Sequence, residues 1–571
     1  MSERNNRRSF LGNAAKTLLA NDDAPKSFAY IDPSNKIMPM HLQKATSGLQ
    51  PYTGTFTDAE VMHLLRRTLT GFNLSDVVFF KNMSVNDAVD YLLNLPVNPP
   101  EPPLNNYGNK PNLNDPNVAV GETWVNAPYL GTVDGARKAS FKAWWMTRMV
   151  SGERTIREKM TLFWHNHFAT ESNMITDARY VYKHNALLRQ HCLGNFKNLV
   201  KEVTIDPAML DYLNGNKNTR TAPDENYARE LQELFTVGKD LPTHYTEQDV
   251  REAARILTGW RNSRNSLNSF FDANLHDTGN KTFSSFYNDT IIQGRTGAQG
   301  ANELDDLLNM IFAHQEVAKY ICRKIYRFFV YYVIDEQIET NVIVPLANIF
   351  RNNNYQIKPV MEALLKSEHF FDLNNRSCVI KPPIDFIAGL YRAFNLQLPP
   401  VDNVEVHYEI AQFAQQYAAM LGQNLADPPS VAGWPAYHQK PQYYELWINS
   451  DSLPKRNQLC DLLIYNGFTR GGFKVQIDVL AFAAQFPSVS NPGNFIADII
   501  KYLYSIDVSS NTKDYLKTSF LLSGQSEDYY WTDIWNAYLA QPNDTMARSA
   551  VQTRLQALLK HILGLAEFQL S

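Results

Sequence analysis

Cysteine is scarce in this chain. The 571 residues hold four, Cys192, Cys322, Cys378 and Cys460, and none falls in a CxxC pair or at metal-finger spacing. That excludes a disulfide framework and a thiolate metal centre, and leaves isolated thiols. Charge of one sign is also missing: the formal net charge is −4 at pH 7, with no basic stripe, which argues against nucleic acid as a partner. No stretch reaches the ~20 apolar residues that cross a bilayer, so no transmembrane segment is expected. Internal repeats, alternating βαβ signals and glycine-rich phosphate loops are absent too, which removes solenoid and dinucleotide-binding folds.

What remains is an ordinary globular composition, 44% hydrophobic and 20% charged, with 12% aromatics that suit a helical core. Residues 1–20 include "NNRRSFLGNAAKTLLA", where Arg7 and Arg8 precede a weakly apolar stretch, the pattern of a twin-arginine export signal. Periplasm or cell envelope is the expected location, and cytoplasm if the signal does not function. Residues 21–56 read as an irregular extension, 57–460 as the main helical domain and 461–571 as a C-terminal helical region packed on it. The fold class is all-α: a large multi-helix bundle with long loop excursions and a small β-hairpin near 265–295, where "KTFSSFYNDTII" is β-prone. Thr57 and Gly71 bracket the first strong helix, and Ser84 with Asp87 opens the second.

Inside "MTLFWHNHFAT" stand His165 and His167. At ~100° per residue, positions i and i+2 on a helix point about 160° apart, so the two rings cannot chelate one ion. His167 lies within the arc of Ile156, Met160, Phe163, Trp164 and Phe168, and is expected to be a buried imidazole. "PDENYARELQELFTVG" reads as one amphipathic helix opening on Pro223. Its Glu225, Arg229 and Glu233 form either a solvated ladder or the lining of a cleft, with Asn226 and Glu230 at the boundary. "HDTGNKTF" places His276, Asp277 and Lys281 in a loop, where functional side chains concentrate.

Taken in order, "HLLRRTLTGF", "EKMTLFWHNHFAT", "PDENYARELQELFTVG", "VREAARILTGW", "HDTGNKTF" and "DPPSVAGWP" resemble the bacterial family catalogued as domain of unknown function 1800, over roughly residues 57–460. Asp224 stands where that family usually has asparagine, and Leu69–Thr70–Gly71 replaces its usual ending after the arginines. The resemblance implies export and a partner of the alkaline-phosphatase and sulfatase-like superfamily; the scaffold reading below adds a surface polysaccharide as an alternative partner. Two function classes stay open. One is an exported enzyme acting by hydrolysis or transfer on an envelope glycan or a phosphate or sulfate ester. Its catalytic candidates are His165, His167, Glu230, His276 and Asp277, and its substrate-binding candidates Arg66, Asn226, Arg229, Lys281 and Trp434. His167, Glu230 and Glu225 would serve as ligands if a divalent Zn, Mn or Fe ion takes part. The other is a non-catalytic helical scaffold or accessory subunit, with the aromatic loop "SVAGWPAYHQKPQYYELW" as contact surface.

The export reading has a direct test. Replacing Arg7 and Arg8 together by lysine is expected to keep most of the protein in the cytoplasmic fraction, measured by immunoblot of fractionated cells; unchanged fractionation rules the signal out.

Overall fold

The first N–H groups of a helix need acceptors, and Thr57 supplies one. Its side chain and the Glu60 carboxylate close a reciprocal capping box over helix α1, Asp58–Thr68, as the sequence predicts. This helix is the first in a computed structural model that describes residues 45–239 and 244–571. The twin-arginine stretch and most of the 21–56 extension lie outside the described residues.

The architecture is all-α. After α1 the principal helices are α2 (Gly131–Ser151), α3 (Arg157–His167), α4 (Ala178–Gln190), α5 (Asn226–Glu230) and α6 (Glu247–Ile256). They continue with α7 (Glu303–Ala313), α8 (Glu316–Phe329), α9 (Pro383–Ala393), α10 (Val404–Met420), α11 (Pro492–Leu503) and α12 (Thr545–Gly564). Helices α2, α9 and α10 pack on one another, and α3 packs on α4. Among the described residues, sheet is confined to three two-stranded antiparallel ladders. The hairpin expected near 265–295 is realised as two of them. Strand β1 (Trp260–Ser263) pairs with β2 (Asn268–Phe271), and β3 (Lys281–Thr282) with β4 (Ile291–Ile292), Lys281 facing Ile292. The third ladder, β5 (Phe468–Arg470) with β6 (Phe473–Val475), turns on Gly471 and Gly472, both at positive φ, as a tight two-residue hairpin requires.

Two features depart from the periodic pattern. Helix α5 does not run on as one α-helix: at Leu231–Thr236 it widens to a π-helical turn, in which the Thr236 hydroxyl donates to the Leu231 carbonyl at 2.5 Å. Helix α3 is buried on all sides, all eleven residues of it, so His165, which helical rotation puts opposite the apolar arc, is as enclosed as His167. The core continues into the C-terminal helices. Arg66 of α1 donates to the carbonyls of Tyr502 and Tyr504 at 2.8 and 2.9 Å, and Phe72 meets the Tyr502 ring edge-on at 6.0 Å.

Gly71, just past α1, lies against the backbone of α9: an added Cβ would sit 2.7 Å from the Ala388 carbonyl oxygen. Backbone cannot yield as a flexible side chain can. Gly71→Ala is therefore expected to cost about 1–3 kcal/mol and to lower the unfolding midpoint in thermal melts. An unchanged midpoint would show that α9 shifts freely.

Candidate anion-binding site

The residues singled out by sequence are mostly satisfied within the fold. His167 rests its Nε2 3.0 Å from the Phe235 carbonyl, with Phe163, Trp164, Phe168, Phe196 and Phe235 around the ring. Burial pushes its pKa well below the usual histidine value, so it is neutral. His165 packs against Trp145, Trp434 and His184 at 5.2, 5.9 and 6.2 Å between ring centres, and neither of its nitrogens has a partner. Burial first, then His184 and Lys142, lowers its pKa to about 3. Trp434 is fully buried, with its backbone N–H donating to Asn166 Oδ1 at 2.9 Å.

The loop motif forms a separate buried network. His276 places Nδ1 3.0 Å from the Thr258 carbonyl and Nε2 3.2 Å from Glu303, and Lys281 pairs with the same Glu303 at 2.5 Å. Arg255 grips Asp277 with two hydrogen bonds of 2.9 and 3.0 Å. On α5, Arg229 bonds Glu225 at 3.3 Å and Glu247 at 2.6 Å; these side chains are 35%, 38% and 65% exposed, which makes the row a solvated ladder. Asn226 is exposed at the same helix start, and Glu230 is half-buried with its pKa raised by burial and then by Glu233. No hydrogen bond or ion pair among the described residues joins His165, His167, Glu230 and His276 to one another. No three His, Cys, Asp or Glu side chains of the described residues stand close enough to hold a metal ion, so His167, Glu230 and Glu225 are not a ligand cluster.

Arg66 leads elsewhere. It lines two cavities of about 550 and 510 Å³, mouths included, that also share Asp385 and Ser571. Their walls carry five cationic side chains, Arg66, Arg67, Lys159, Arg327 and Lys381, and one acidic side chain, Asp385. Lys159, on the enclosed α3, pairs with Asp385 at the start of α9. The other four cations reach no carboxylate among the described residues. Arg66 donates to the two carbonyls after α11. Arg67 donates to the Asn375 carbonyl at 3.0 Å and the Cys378 Sγ at 3.3 Å, while its Nε, on a residue 4% exposed, has no partner. Lys381 donates to the Phe568 carbonyl at 2.6 Å and lies 4.2 Å over that ring. Arg327 reaches the Tyr332 carbonyl at 3.4 Å. Burial, then Arg66 and Arg456, pushes the Lys381 ammonium down to about 7, and burial pushes Arg66 down to about 10. Asp385 has one unpartnered oxygen and a pKa raised by burial. Tyr332, Tyr437, Tyr443 and Tyr444 complete the second cavity.

Sequence reasoning picked out Arg66 and missed the rest. Arg67 was visible as its neighbour in "LLRRT", and Lys381 with Asp385 as an i, i+4 pair in "KPPID". Compared with known proteins, the chain matches a family model described as "Protein of unknown function (DUF1800)" over residues 63–570, which takes in the C-terminal helices as well. No curated protein and no solved structure matches it.

The buried neutral histidines set an acid limit. His63, His165 and His167 have folded pKa values below the unfolded ~6.5, so the unfolded chain takes up protons first. Their contribution is complete above about pH 6.5 and is lost as pH falls below it, at about 1.4 kcal/mol per pH unit for each ring. Denaturation midpoints measured from pH 7.5 to 4.5 should fall accordingly, and less steeply in His167→Leu; an identical slope in that variant contradicts the assignment.

Proposed function

We propose that this chain, which belongs to the DUF1800 family, binds an anionic group, a phosphate or sulfate borne on a larger molecule, at the two cationic cavities that share Arg66 and Asp385 between α1, α3 and α9. The observation that carries this reading is the excess of positive charge: four of the five lining cations make no hydrogen bond or ion pair with a carboxylate among the described residues, and donate to carbonyls and a thiol. Removing a cation from water costs several kcal/mol unless an opposite charge replaces the solvent. Backbone carbonyls return part of that cost, and a polyoxyanion would return more. Guanidinium forks match the oxygens of phosphate and sulfate, which favours these groups over halide. Hydrolysis or transfer needs a base or acid beside the bound anion. Asp385 is the one acidic side chain in the lining that could fill that part, so binding is the activity the lining supports first. The paired arginines Arg7 and Arg8 support an envelope location for this ligand.

Sulfate is a suitable probe because it does not titrate near neutrality. Its affinity, by calorimetry at low ionic strength, is expected to fall as pH rises through about 7, where Lys381 loses its proton beside Arg66, Arg456, Asp385 and Cys460. Lys381→Met should weaken sulfate at least tenfold and yet melt higher than the wild type in sulfate-free buffer, because a repulsive charge is gone. Unchanged sulfate affinity in this variant, or no sulfate binding by the wild type, would defeat the proposal.

A further inference from the structure

The second cavity adjoins a larger cleft that an inorganic ion held among the cations would leave empty. Tyr444 belongs to the wall of both spaces. Arg67 spans them as well: it lines the smaller cavity and donates to Asn375 and Cys378, which line the larger. A molecule whose charged end sits among the cations would therefore lay its body along Tyr444 into the larger cleft.

We propose that this body is a sugar, so that the ligand is a phosphorylated or sulfated glycan unit; the inference rests on the anion site described above. The larger cleft sets Tyr331 and Tyr444 beside Asp335, Asn374 and Arg376. Aromatic rings with amide and charged groups at their border are what a sugar needs, because a pyranose ring has apolar C–H faces and a belt of hydroxyls. The tyrosines are not arranged for a planar base. Tyr331 and Tyr332 lie 4.6 Å apart at 62°, Tyr332 and Tyr444 4.7 Å apart at 74°, and Tyr331 and Tyr444 6.3 Å apart at 43°. No two of these faces are parallel, so no flat slot exists. Leu373, 74% exposed on the cleft's lip, marks where the ligand would leave for solvent.

The experiment uses the full chain and titration calorimetry at low ionic strength. The probes are inorganic phosphate, inorganic sulfate, the 6-phosphates and 6-sulfates of glucose and mannose, and adenosine monophosphate. At least one sugar ester should bind tenfold or more tighter than its inorganic anion. Tyr331→Ala should bring that ratio close to one, and Leu373→Trp, a change at an exposed position that fills the lip, should do the same. Sugar esters no tighter than the inorganic anions would overturn the inference and leave the anion site standing. Tighter binding of adenosine monophosphate than of every sugar ester would replace the sugar by a planar body. If neither inorganic anion nor any ester binds, both readings fall together.

Discussion

A helix with no solvent face must find an answer inside the protein for every polar side chain it carries. Helix α3 is in that position, and its eleven residues include Arg157, Glu158, Lys159, His165, Asn166 and His167. The answers come from all over the chain. Arg157 donates to the carbonyls of Pro96 and Asn98, and Glu158 accepts from Trp145 and Arg189. Asn166 receives the backbone N–H of Trp434, and His167 meets the Phe235 carbonyl. Leaving any of these groups unpaired costs about 1–3 kcal/mol, and more where it is charged. Loops separated by hundreds of residues are thereby fixed in register around one short helix.

The same helix sets the limits of the cavity. Lys159 takes the one acidic side chain of the lining, Asp385, through one oxygen, and no other carboxylate side chain of the described residues lines either cavity opposite the cations of α1 and the Lys381 ammonium. Had a second acidic residue stood there, the site would be a closed ion-pair network of the kind seen at His276, Lys281 and Glu303. The two arrangements use similar residues and differ in whether the charges sum to near zero. Held by carbonyls and rings, the guanidinium groups are fixed before any ligand arrives, so less side-chain ordering is left to the binding step.

This difference explains what could be read in advance. Local signals were legible: the Thr57 cap, the helical character of the aromatic segment and the enclosure of His167 all follow from spacing and periodicity. So was the Gly471–Gly472 turn, whose signal in "TRGGFK" passed unused. The π-helical turn after α5 was not legible, because an apolar i, i+4 pattern looks the same until one residue is squeezed in. Partnership was hidden for a deeper reason. Glu303, which completes the His276 and Lys281 network, arrives 27 and 22 residues later from another helix, and Asp385 lies 226 positions from Lys159. A histidine or glutamate in a motif declares its chemistry, while its state of satisfaction is a property of the tertiary fold.

Magnitude then separates two of the unsatisfied places among the described residues. The His165 imidazole has neither nitrogen partnered, but with its pKa lowered to about 3 it is neutral, and a neutral orphan costs about 1–3 kcal/mol spread over two atoms. A buried cation without a counter-charge is costlier, and the two cavities beside α1 gather four cations with no ion pair among the described residues, Arg67 buried and Arg66, Arg327 and Lys381 half-buried. A fold with a net stability of order 5–15 kcal/mol can carry one neutral orphan without compensation. Four clustered cations are a burden of a different order, and the carbonyls around them offset only part of it. An anion bound at the two cavities would offset the remainder, which is why the proposed site is placed at the arginines of α1 and not at the histidines of α3.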